Sequence, residues 1–325
     1  MQPLAAEDPR GVGPYRLLGR LGSGGMGRVF LGRSAGGRTV AVKIVHPHLA
    51  ADPDFRARFA REVDAARLTG GRWTAAVLDA GPEAEVPWVA TGYVAGPDLH
   101  RVVREHGPLP EPTVRALGAG LAEALAAVHA RGLVHRDVKP SNVLLALDGP
   151  RLIDFGIVRA ADDGASLTAT GVSVGSPGFM APEQICGGAV GGAADVFSAG
   201  AVLALAPAAR PPFPGDSAAQ LLYRVVHEPP DLGRVPAGLR GTVARCLDKD
   251  PAARPAPREL GRELAGEGGA AALFAAGWLP PAVVEDIGRR AVRLLDAEGG
   301  PATDPAAGPP GVFGPPHPAY GAAPR

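Results

Sequence analysis

The sequence predicts an α+β protein with two lobes: a small β-rich lobe that contains one helix, and a larger, mainly helical lobe. Two observations lead to this fold class. From Tyr15 to Val94 most of the chain consists of short β-type runs separated by glycine and proline. After Gly96 the apolar residues follow helical spacing instead. The chain has 325 residues, and single cores stop growing at about 250 to 300 residues, so two lobes with appendages are expected.

The one helix of the small lobe is predicted in the segment DFRARFAREVDAARL, where Phe55, Phe59 and Val63 recur at every fourth residue. This spacing gives one apolar stripe with charged residues opposite it. The β-type runs around the helix are YRLLGRL, GRVFLGR, RTVAVKIV, AAVLDAG and VPWVATGYV. We therefore place the small lobe at about residues 15–95.

The larger lobe, at about residues 96–264, is predicted to open with a long helix. Its apolar residues are spaced by three or four: Val114, Leu117, Leu121, Leu125 and Val128. Pro112 suits the first turn of this helix. Further helical segments are predicted at 194–206, 217–227 and 239–248. Pro207 is expected to end the first of these, because proline lacks the donor that a continuing helix needs.

Three segments lie outside the two lobes. Residues 1–14 carry acids and prolines and are expected to be disordered. Residues 265–298 are expected to form a helical extension that packs on the large lobe or on a partner, because the spacing of Val284, Ile287, Ala291 and Leu294 is helical. Residues 299–325 are rich in proline and glycine, a composition that buries too little apolar area to offset chain entropy, so a disordered tail is predicted.

The composition excludes several classes of protein. Lysine plus arginine equal aspartate plus glutamate at 33 each, so no net charge favours nucleic acid or an anionic membrane surface as a partner. The two cysteines, Cys186 and Cys246, are far apart and lack the spacing of a zinc site or a disulfide framework. No window approaches the roughly 18 apolar residues of a membrane span. A soluble, cytoplasmic protein is expected.

A glycine-rich stretch opens the small lobe. In LGSGGMGRVF, Gly22, Gly24 and Gly27 follow the pattern G-x-G-x-x-G. The same spacing occurs in dinucleotide-binding folds, where a helix follows the glycines at once. Here the chain continues as the β-type run GRVFLGR, which favours a hairpin laid over phosphate groups.

A lysine in the run VAVK is the next candidate. On a strand, Lys43 lies on the face opposite Val42, and a lysine buried there requires an anionic partner. Glu62, in the middle of the predicted helix, is the obvious candidate. The alternative is an ordinary charged residue on an edge strand.

The stretch HRDVKPSN, from His135 to Asn142, places several polar residues directly after an apolar helical run. By itself it is compatible with a solvated loop after a helix. The whole series of motifs, in this order, resembles the eukaryotic-type (Hanks-type) serine/threonine protein kinases of bacteria from about Tyr15 to Leu264. The motifs are GSGGMGRV, VAVK, HRDVKPSN, DFG at Asp154, APE at Ala181, DVFSAG at Asp195 and DPAARP at Asp250. The resemblance implies the bilobal protein-kinase fold.

The resemblance also assigns roles in phosphoryl transfer, where positioning and charge neutralisation do most of the work. Asp137 is expected to act as the base that orients the substrate hydroxyl, and Lys139 to screen the charge of the γ-phosphoryl group. Asn142 and Asp154 are the expected ligands of Mg²⁺, with Mn²⁺ as a substitute. Lys43, held by Glu62, is expected to anchor the α- and β-phosphates.

The resemblance further implies a nucleotide site for ATP. Backbone amides of the glycine-rich stretch would cap the phosphates, and they belong to Gly22, Ser23, Gly24, Gly25 and Gly27. The adenine ring would lie between Leu21, Val29, Ala41 and Leu144. Backbone groups of Gly92 and Val94 would read the edge of the base, and Asp98 would contact the ribose. Family members commonly carry glutamate where this chain has Gly92, but the expected contact there is a backbone carbonyl.

The expected activity is ATP-dependent transfer of the γ-phosphoryl group to serine or threonine hydroxyls of protein substrates. The alternative is a catalytically silent, kinase-like scaffold that binds nucleotide; silent relatives usually lose the lysine, the base or the metal aspartate, and this chain keeps them. Small-molecule phosphotransfer is disfavoured, because the long segment from Asp154 to Glu183 resembles a platform for protein substrates.

The same segment suggests control by phosphorylation. Arg136 precedes the expected base, and a cation there needs an anion to meet it. Thr168 and Thr170 lie in SLTATGVS, among small residues, and phosphate there would add nearly two negative charges. Autophosphorylation between two molecules, in a transient dimer, is therefore expected; the alternative is that these threonines are ordinary loop residues.

Overall fold

A computed structural model describes residues 1–67, 70–154, 177–275 and 277–298, without the side chains of Glu267 and of residues 295–298. Its described part has the two predicted lobes. The small lobe contains a six-stranded sheet and the helices α1 (Pro47–Ala50) and α2 (Pro53–Arg67). Its strands are β1 (Gly11–Val12), β2 (Tyr15–Gly24), β3 (Gly27–Ser34), β4 (Thr39–Val45), β5 (Val77–Gly81) and β6 (Trp88–Gly92). They pair in the order β1-β2-β3-β4-β6-β5, and every pair is antiparallel.

The register of this sheet separates its two faces. Lys43 lies opposite Val29 on β3 and opposite Val89 on β6. Residues that are paired across antiparallel strands share a face, so these three side chains lie together. Val42 lies on the other face, where it is buried in a cluster with Phe30. The prediction that Lys43 and Val42 occupy opposite faces is confirmed.

Helix α2 closes one face of the sheet through the predicted apolar stripe. Phe55, Phe59 and Val63 are all buried, and they form a cluster with Val45 and Val89 of the sheet. Glu62 is the neighbour of Val63 on this helix and is half-buried. The fourfold spacing therefore predicted correctly which side of α2 packs on the sheet.

The large lobe has one continuous core around two long helices. Its helices are α3 (Leu99–His106), α4 (Glu111–His129), α5 (Pro182–Ile185), α6 (Gly192–Ala208), α7 (Ala218–His227), α8 (Ala237–Cys246) and α9 (Pro257–Ala265). A hairpin of β7 (Val143–Ala146) and β8 (Gly149–Leu152) follows α4 along the chain. The residues predicted to face the core from α4 are all buried. Helix α6 is buried along nearly its whole length and continues one residue past Pro207.

The prediction that residues 1–14 are disordered is wrong. Gln2 exchanges backbone hydrogen bonds with Arg20, and β1 pairs with β2. The carboxylate of Asp8 is fully buried and accepts hydrogen bonds from Arg20 at 2.6 Å and Arg28 at 3.2 Å. A buried charge is tolerated only when it is paired, so this cluster fixes the segment on the sheet.

The extension after α9 forms two further helices, α10 (Gly269–Ala275) and α11 (Pro281–Glu298). Phe274, Trp278, Val283 and Ile287 from this segment are buried in the core of the large lobe. Of the two alternatives stated above, packing on the large lobe is therefore the one that the structure has. The predicted tail from 299 onwards lies outside the described residues. Among the described helices, none has the length and apolarity needed to cross a membrane.

Candidate active site

The loop from His135 to Asn142 connects α4 to β7, and a buried aspartate of α6 holds it through hydrogen bonds to its backbone. Asp195 is 1% exposed. It accepts hydrogen bonds from the backbone amides of His135 at 2.8 Å and Arg136 at 2.7 Å, and from the ring of His129 at 2.7 Å. Arg136 has a φ of 63°, a conformation that a residue with a side chain adopts only when its surroundings impose it. Asp195 therefore holds the loop in a strained shape.

His135 is the buried centre of the loop and is neutral. Its Nδ1 accepts from the amide of Asp137 at 3.3 Å, and its Nε2 donates to the carbonyl oxygen of Ile153 at 3.1 Å. One nitrogen accepts and one donates, as only the neutral ring does. Burial lowers the pKa of His135, and the negative charges of Asp195 and Asp137 offset part of this lowering. The ring thereby ties the loop to the residue that precedes Asp154.

The three polar residues predicted for catalysis meet at one carboxylate. Lys139 Nζ lies 2.8 Å from Asp137 Oδ2. Asn142 Nδ2 donates to the same oxygen and to the backbone carbonyl of Asp137, each at 2.9 Å. A short 3-10 turn from Pro140 to Asn142 brings the asparagine back over the aspartate. Because Asn142 donates through its nitrogen, its amide oxygen is the atom that it offers to a cation.

Asp154 lies two residues after β8 and is paired with the lysine of the sheet. Lys43 Nζ lies 3.3 Å from Asp154 Oδ2. Asp154 has a φ of 52°, a second strained position in the same site. The structure thus brings Lys43, from the small lobe, to a carboxylate of the large lobe across the cleft.

The ion pair that the structure gives for Lys43 is with Asp154, whereas the expected partner was Glu62. Lys43 points from β4 towards the cleft, and the carboxylate that it reaches there is that of Asp154. A largely buried ammonium needs a counter-charge, and the carboxylate of Asp154 supplies it. The role assigned to Glu62 stays a prediction.

The glycine-rich stretch is a hairpin, as predicted. Gly24 pairs with Gly27 across the turn between β2 and β3, and no helix follows. A side chain at Gly27 is excluded, because a Cβ there would lie 2.1 Å from the carbonyl oxygen of Ile44. At Gly22, Gly24 and Gly25 a Cβ would meet no atom within 4 Å. These glycines therefore face open space, which suits the close approach of phosphate groups to the backbone.

Sequence reasoning missed a residue that fastens this hairpin. His46 follows β4, and its Nε2 donates to the carbonyl oxygen of Gly24 at 2.9 Å. Its backbone amide donates to the carbonyl of Met26, also at 2.9 Å. No motif marks this histidine, because the contact arises only when β3 and β4 are aligned. Asp195 is the first residue of the motif DVFSAG, but the motif does not predict that this side chain supports the loop.

The residues predicted to hold the adenine ring lie on both sides of the cleft. Leu21, Val29 and Ala41 are half-buried in the sheet, and Leu144 is half-buried on β7. Asp98 forms a bridge with Leu144 and caps α3 by accepting from the amide of Arg101 at 2.9 Å. Gly92 ends β6, and Val94 follows it in the segment between the lobes, called the linker below (Gly92–Pro97). These positions are compatible with the predicted adenine pocket.

A bidentate ion pair supports the segment beneath the cleft. Arg254 donates to both oxygens of Glu183, at 2.7 and 2.8 Å. The arginine side chain is fully buried and the glutamate nearly so. Arg254 also donates to the backbone carbonyls of Asp248 and Ala193. Glu183 belongs to the motif APE and Arg254 to DPAARP, so this pair joins two of the motifs. Thr168 and Thr170 lie outside the described residues.

Comparisons with known proteins agree with this geometry. The model of the protein kinase domain family matches residues 15–263. The chain is 52% identical over 260 residues to a probable serine/threonine-protein kinase, PkwA, of Thermomonospora curvata, covering 80% of this chain and 35% of that protein. It is 47% identical over 310 residues to the serine/threonine-protein kinase AfsK of Streptomyces coelicolor, covering 93% of this chain and 38% of that protein.

A solved structure gives the same result for the fold. The crystal structure of the PknI kinase domain of Mycobacterium tuberculosis aligns with a TM-score of 0.63 and 32% identity, over 79% of this chain and 98% of that domain. The chain therefore belongs to the protein kinase family, and within it to the Hanks-type serine/threonine kinases of bacteria. It spans little more than a third of the length of the two curated relatives.

Proposed function

We propose that the protein transfers the γ-phosphoryl group of ATP to serine or threonine hydroxyls of protein substrates. The observation that carries the proposal is the convergence of Lys139 and Asn142 on Oδ2 of Asp137, with the Lys43–Asp154 pair across the cleft. Phosphoryl transfer needs a carboxylate, cations and metal ligands within one small volume. The names of the relatives support the same class of reaction.

The donor set fits a nucleotide and a divalent cation. The carboxylate of Asp154 and the amide oxygen of Asn142 are hard oxygen ligands, which Mg²⁺ and Mn²⁺ prefer. A bound divalent cation would neutralise phosphate charge. On this proposal Lys43 exchanges Asp154 for the α- and β-phosphates, and backbone amides of the glycine-rich hairpin bind phosphate oxygens, which the open space beside Gly22, Gly24 and Gly25 allows to approach.

The roles of the protein's own groups follow from their contacts. Asp137 accepts the proton of the substrate hydroxyl and orients its oxygen, while Asn142 holds Asp137 by one hydrogen bond to its carboxylate and one to its backbone carbonyl. Lys139, 2.8 Å from the carboxylate, places a cation beside the transferring group. Leu21, Val29, Ala41 and Leu144 exclude water from the adenine ring. The sequence keeps Lys43, Asp137 and Asp154, the residues whose loss would favour a silent scaffold.

We further propose autophosphorylation on Thr168, Thr170 or both, with the phosphate meeting Arg136. The support is the position of Arg136 beside Asp137 and the content of the sequence; the threonines lie outside the described residues. A cytoplasmic site of action is also part of the proposal, because Cys186 and Cys246 are free thiols.

The test is incubation of the protein with γ-labelled ATP, Mg²⁺ or Mn²⁺, and peptides that carry serine, threonine or tyrosine, followed by mass spectrometry of protein and peptides. The proposal predicts label on serine and threonine only, dependence on the cation, and loss of transfer in Asp154→Asn, whose fold is checked by cooperative unfolding. Binding of ATP without transfer to any hydroxyl would replace the proposal with the silent scaffold.

A further inference from the structure

The N-terminal segment (residues 1–14) is attached to the first strand of the glycine-rich hairpin, which consists of β2, β3 and the turn between them. The amide of Gln2 donates to the carbonyl of Arg20 at 2.9 Å, and the amide of Arg20 donates to the carbonyl of Gln2 at 2.8 Å. The amide of Leu17 donates to the carbonyl of Arg10 at 2.9 Å. The segment precedes the residues that the family model matches. It is therefore an addition to the family domain that contacts β2 at two places.

Asp8 joins this segment to both strands of the hairpin. Its side chain is fully buried, and one oxygen, Oδ1, accepts from Arg20 of β2 at 2.6 Å and from Arg28 of β3 at 3.2 Å. The other oxygen, Oδ2, accepts from the amide of Ala5 at 2.8 Å. Hydrogen bonds between charged groups are about twice as strong as those between neutral groups. One carboxylate therefore ties together β2, β3 and the N-terminal segment.

The two arginines lie on either side of an irregularity in the hairpin. Between Arg20 and Gly22 the register of β2 with β3 shifts by one residue, which leaves Leu21, a predicted neighbour of the adenine ring, as the extra residue of a β-bulge. Arg28 lies beyond the bulge, opposite Ser23. A bulge bends the strand that contains it. The ion pairs of this carboxylate therefore span the bend and fix the direction in which the hairpin continues towards its turn.

Asp8 acts from the face of the sheet that is turned away from the cleft. Val29 shares the cleft face with Lys43, and Arg28 is its neighbour on β3, so the side chain of Arg28 points to the other face. Leu4 of the N-terminal segment packs on that other face, against the apolar cluster of the small lobe. The ion pairs of Asp8 therefore bear on a bound nucleotide only through the hairpin.

We propose that the N-terminal segment clamps the base of the glycine-rich hairpin, and that Asp8 is a positioning residue for the phosphates of the nucleotide. The inference rests on the proposed function for its nucleotide, and it extends that function to a segment outside the residues that the family model matches. A hairpin that is already held loses less conformational freedom when phosphates bind. Loss of the clamp therefore weakens the binding of the phosphates. It affects the adenine ring less, because Ala41, Leu144 and the linker belong to other elements.

The test compares Asp8→Asn with Glu7→Gln, the same loss of charge at the neighbouring residue, whose side chain is 63% exposed and lies 3.6 Å from Arg20. Calorimetry of the full chain with Mg²⁺ measures the Kd of ATP and that of adenosine, which has no phosphate. Asp8→Asn should raise the Kd of ATP about threefold to tenfold and that of adenosine by less than about twofold. Glu7→Gln should bind both ligands as the parent protein does. A general loss of stability would instead weaken both ligands alike.

Hydrogen exchange of the hairpin in the nucleotide-free protein gives a second readout. Residues 20–28 should exchange faster in Asp8→Asn than in Glu7→Gln, while residues 88–92 of β6 exchange equally in both. Equal exchange of the hairpin, an unchanged Kd for ATP, or equal losses for ATP and adenosine would each overturn the proposal. If the parent protein binds no ATP, the proposed function fails, and hairpin exchange alone decides the clamp. If Asp8→Asn does not fold, Arg28→Met, which removes one of the two ion pairs, takes its place in the same measurements.

Discussion

Single residues determine the geometry of the site more than the motifs alone indicate. The motif HRDVKPSN predicted which side chains would meet, and Asp137, Lys139 and Asn142 do meet. The sequence did not predict the supports beneath them. Asp195 and His46 act through backbone groups that are far away in sequence, so no local pattern marks either contact. The sequence therefore identifies the side chains that carry the chemistry. It does not identify the residues that hold them, because those contacts form only when distant parts of the chain come together in the fold.

Lys249 gives a pH-dependent prediction at this scale. Its ammonium lies 4.3 Å from the centre of the Phe213 ring and donates to the carbonyl of Val225. Burial, with help from the charge of Arg254, lowers its pKa from 10.5 to about 8. Between these values the unfolded chain binds more protons than the native protein, so this group adds stability as the pH rises from about 8 towards 10.5.

The measurement is urea unfolding of the parent protein and of Lys249→Met at a pH below 8 and at one between 9 and 10. The stability of the parent relative to the variant should increase with pH, since groups such as Cys246 titrate in both proteins and cancel. A difference that stays level or declines over this range would show that Lys249 titrates normally.

At the scale of helices and strands, the spacing of apolar residues predicted which helix faces pack on the core. It did not predict which segments are held by ion pairs. The buried faces of α2 and α4 could be predicted, because a helix that packs on a core has apolar residues at every third or fourth position. The acids and prolines of residues 1–14 favour disorder, yet Asp8 fixes this segment through Arg20 and Arg28 of two neighbouring strands. Pro207 is expected to end α6, and α6 ends one residue after it, because proline lacks the N–H donor that a continuing helix needs.

The glycine hairpin gives a matched pair of substitutions. Gly27→Ala should destabilise the protein by about 1–3 kcal/mol, because the new Cβ would overlap the backbone oxygen of Ile44, which has no freedom to move. Gly22→Ala should change the free energy of unfolding by less than about 0.5 kcal/mol, because its Cβ would point into open space. Chemical denaturation measures both, and equal effects would mean that the hairpin is misplaced.

The ion pair between α5 and the turn after α8 gives another prediction. Glu183→Ala and Arg254→Ala should each cost about 3–5 kcal/mol, because either change leaves a buried charge without its partner. The double variant should cost much less than the sum of the two, which a double-mutant cycle measures. Additive effects would indicate that the two residues act independently.

At the scale of the whole molecule, the described residues join the two lobes through the linker, through an ion pair across the cleft, and through the segment after α2, where Leu152 donates to Trp73 at 2.8 Å and accepts from Ala75 at 3.2 Å along the backbone. The ion pair across the cleft is that of Lys43 with Asp154. The bilobal fold was predictable, because the change from β-type runs to helical spacing occurs once along the chain. The docking of α11 was not, because an amphipathic helix shows that it has an apolar face but not which surface covers it.

The central claim is that Asp137 and its neighbours perform phosphoryl transfer from ATP to protein hydroxyls. Its most direct test is the rate of transfer by Asp137→Asn, compared with ATP affinity and unfolding of the same variant. The account predicts a fall in kcat by about two orders of magnitude or more, with ATP affinity within about twofold and cooperative unfolding retained. Transfer at nearly the parent rate by the folded variant would contradict it.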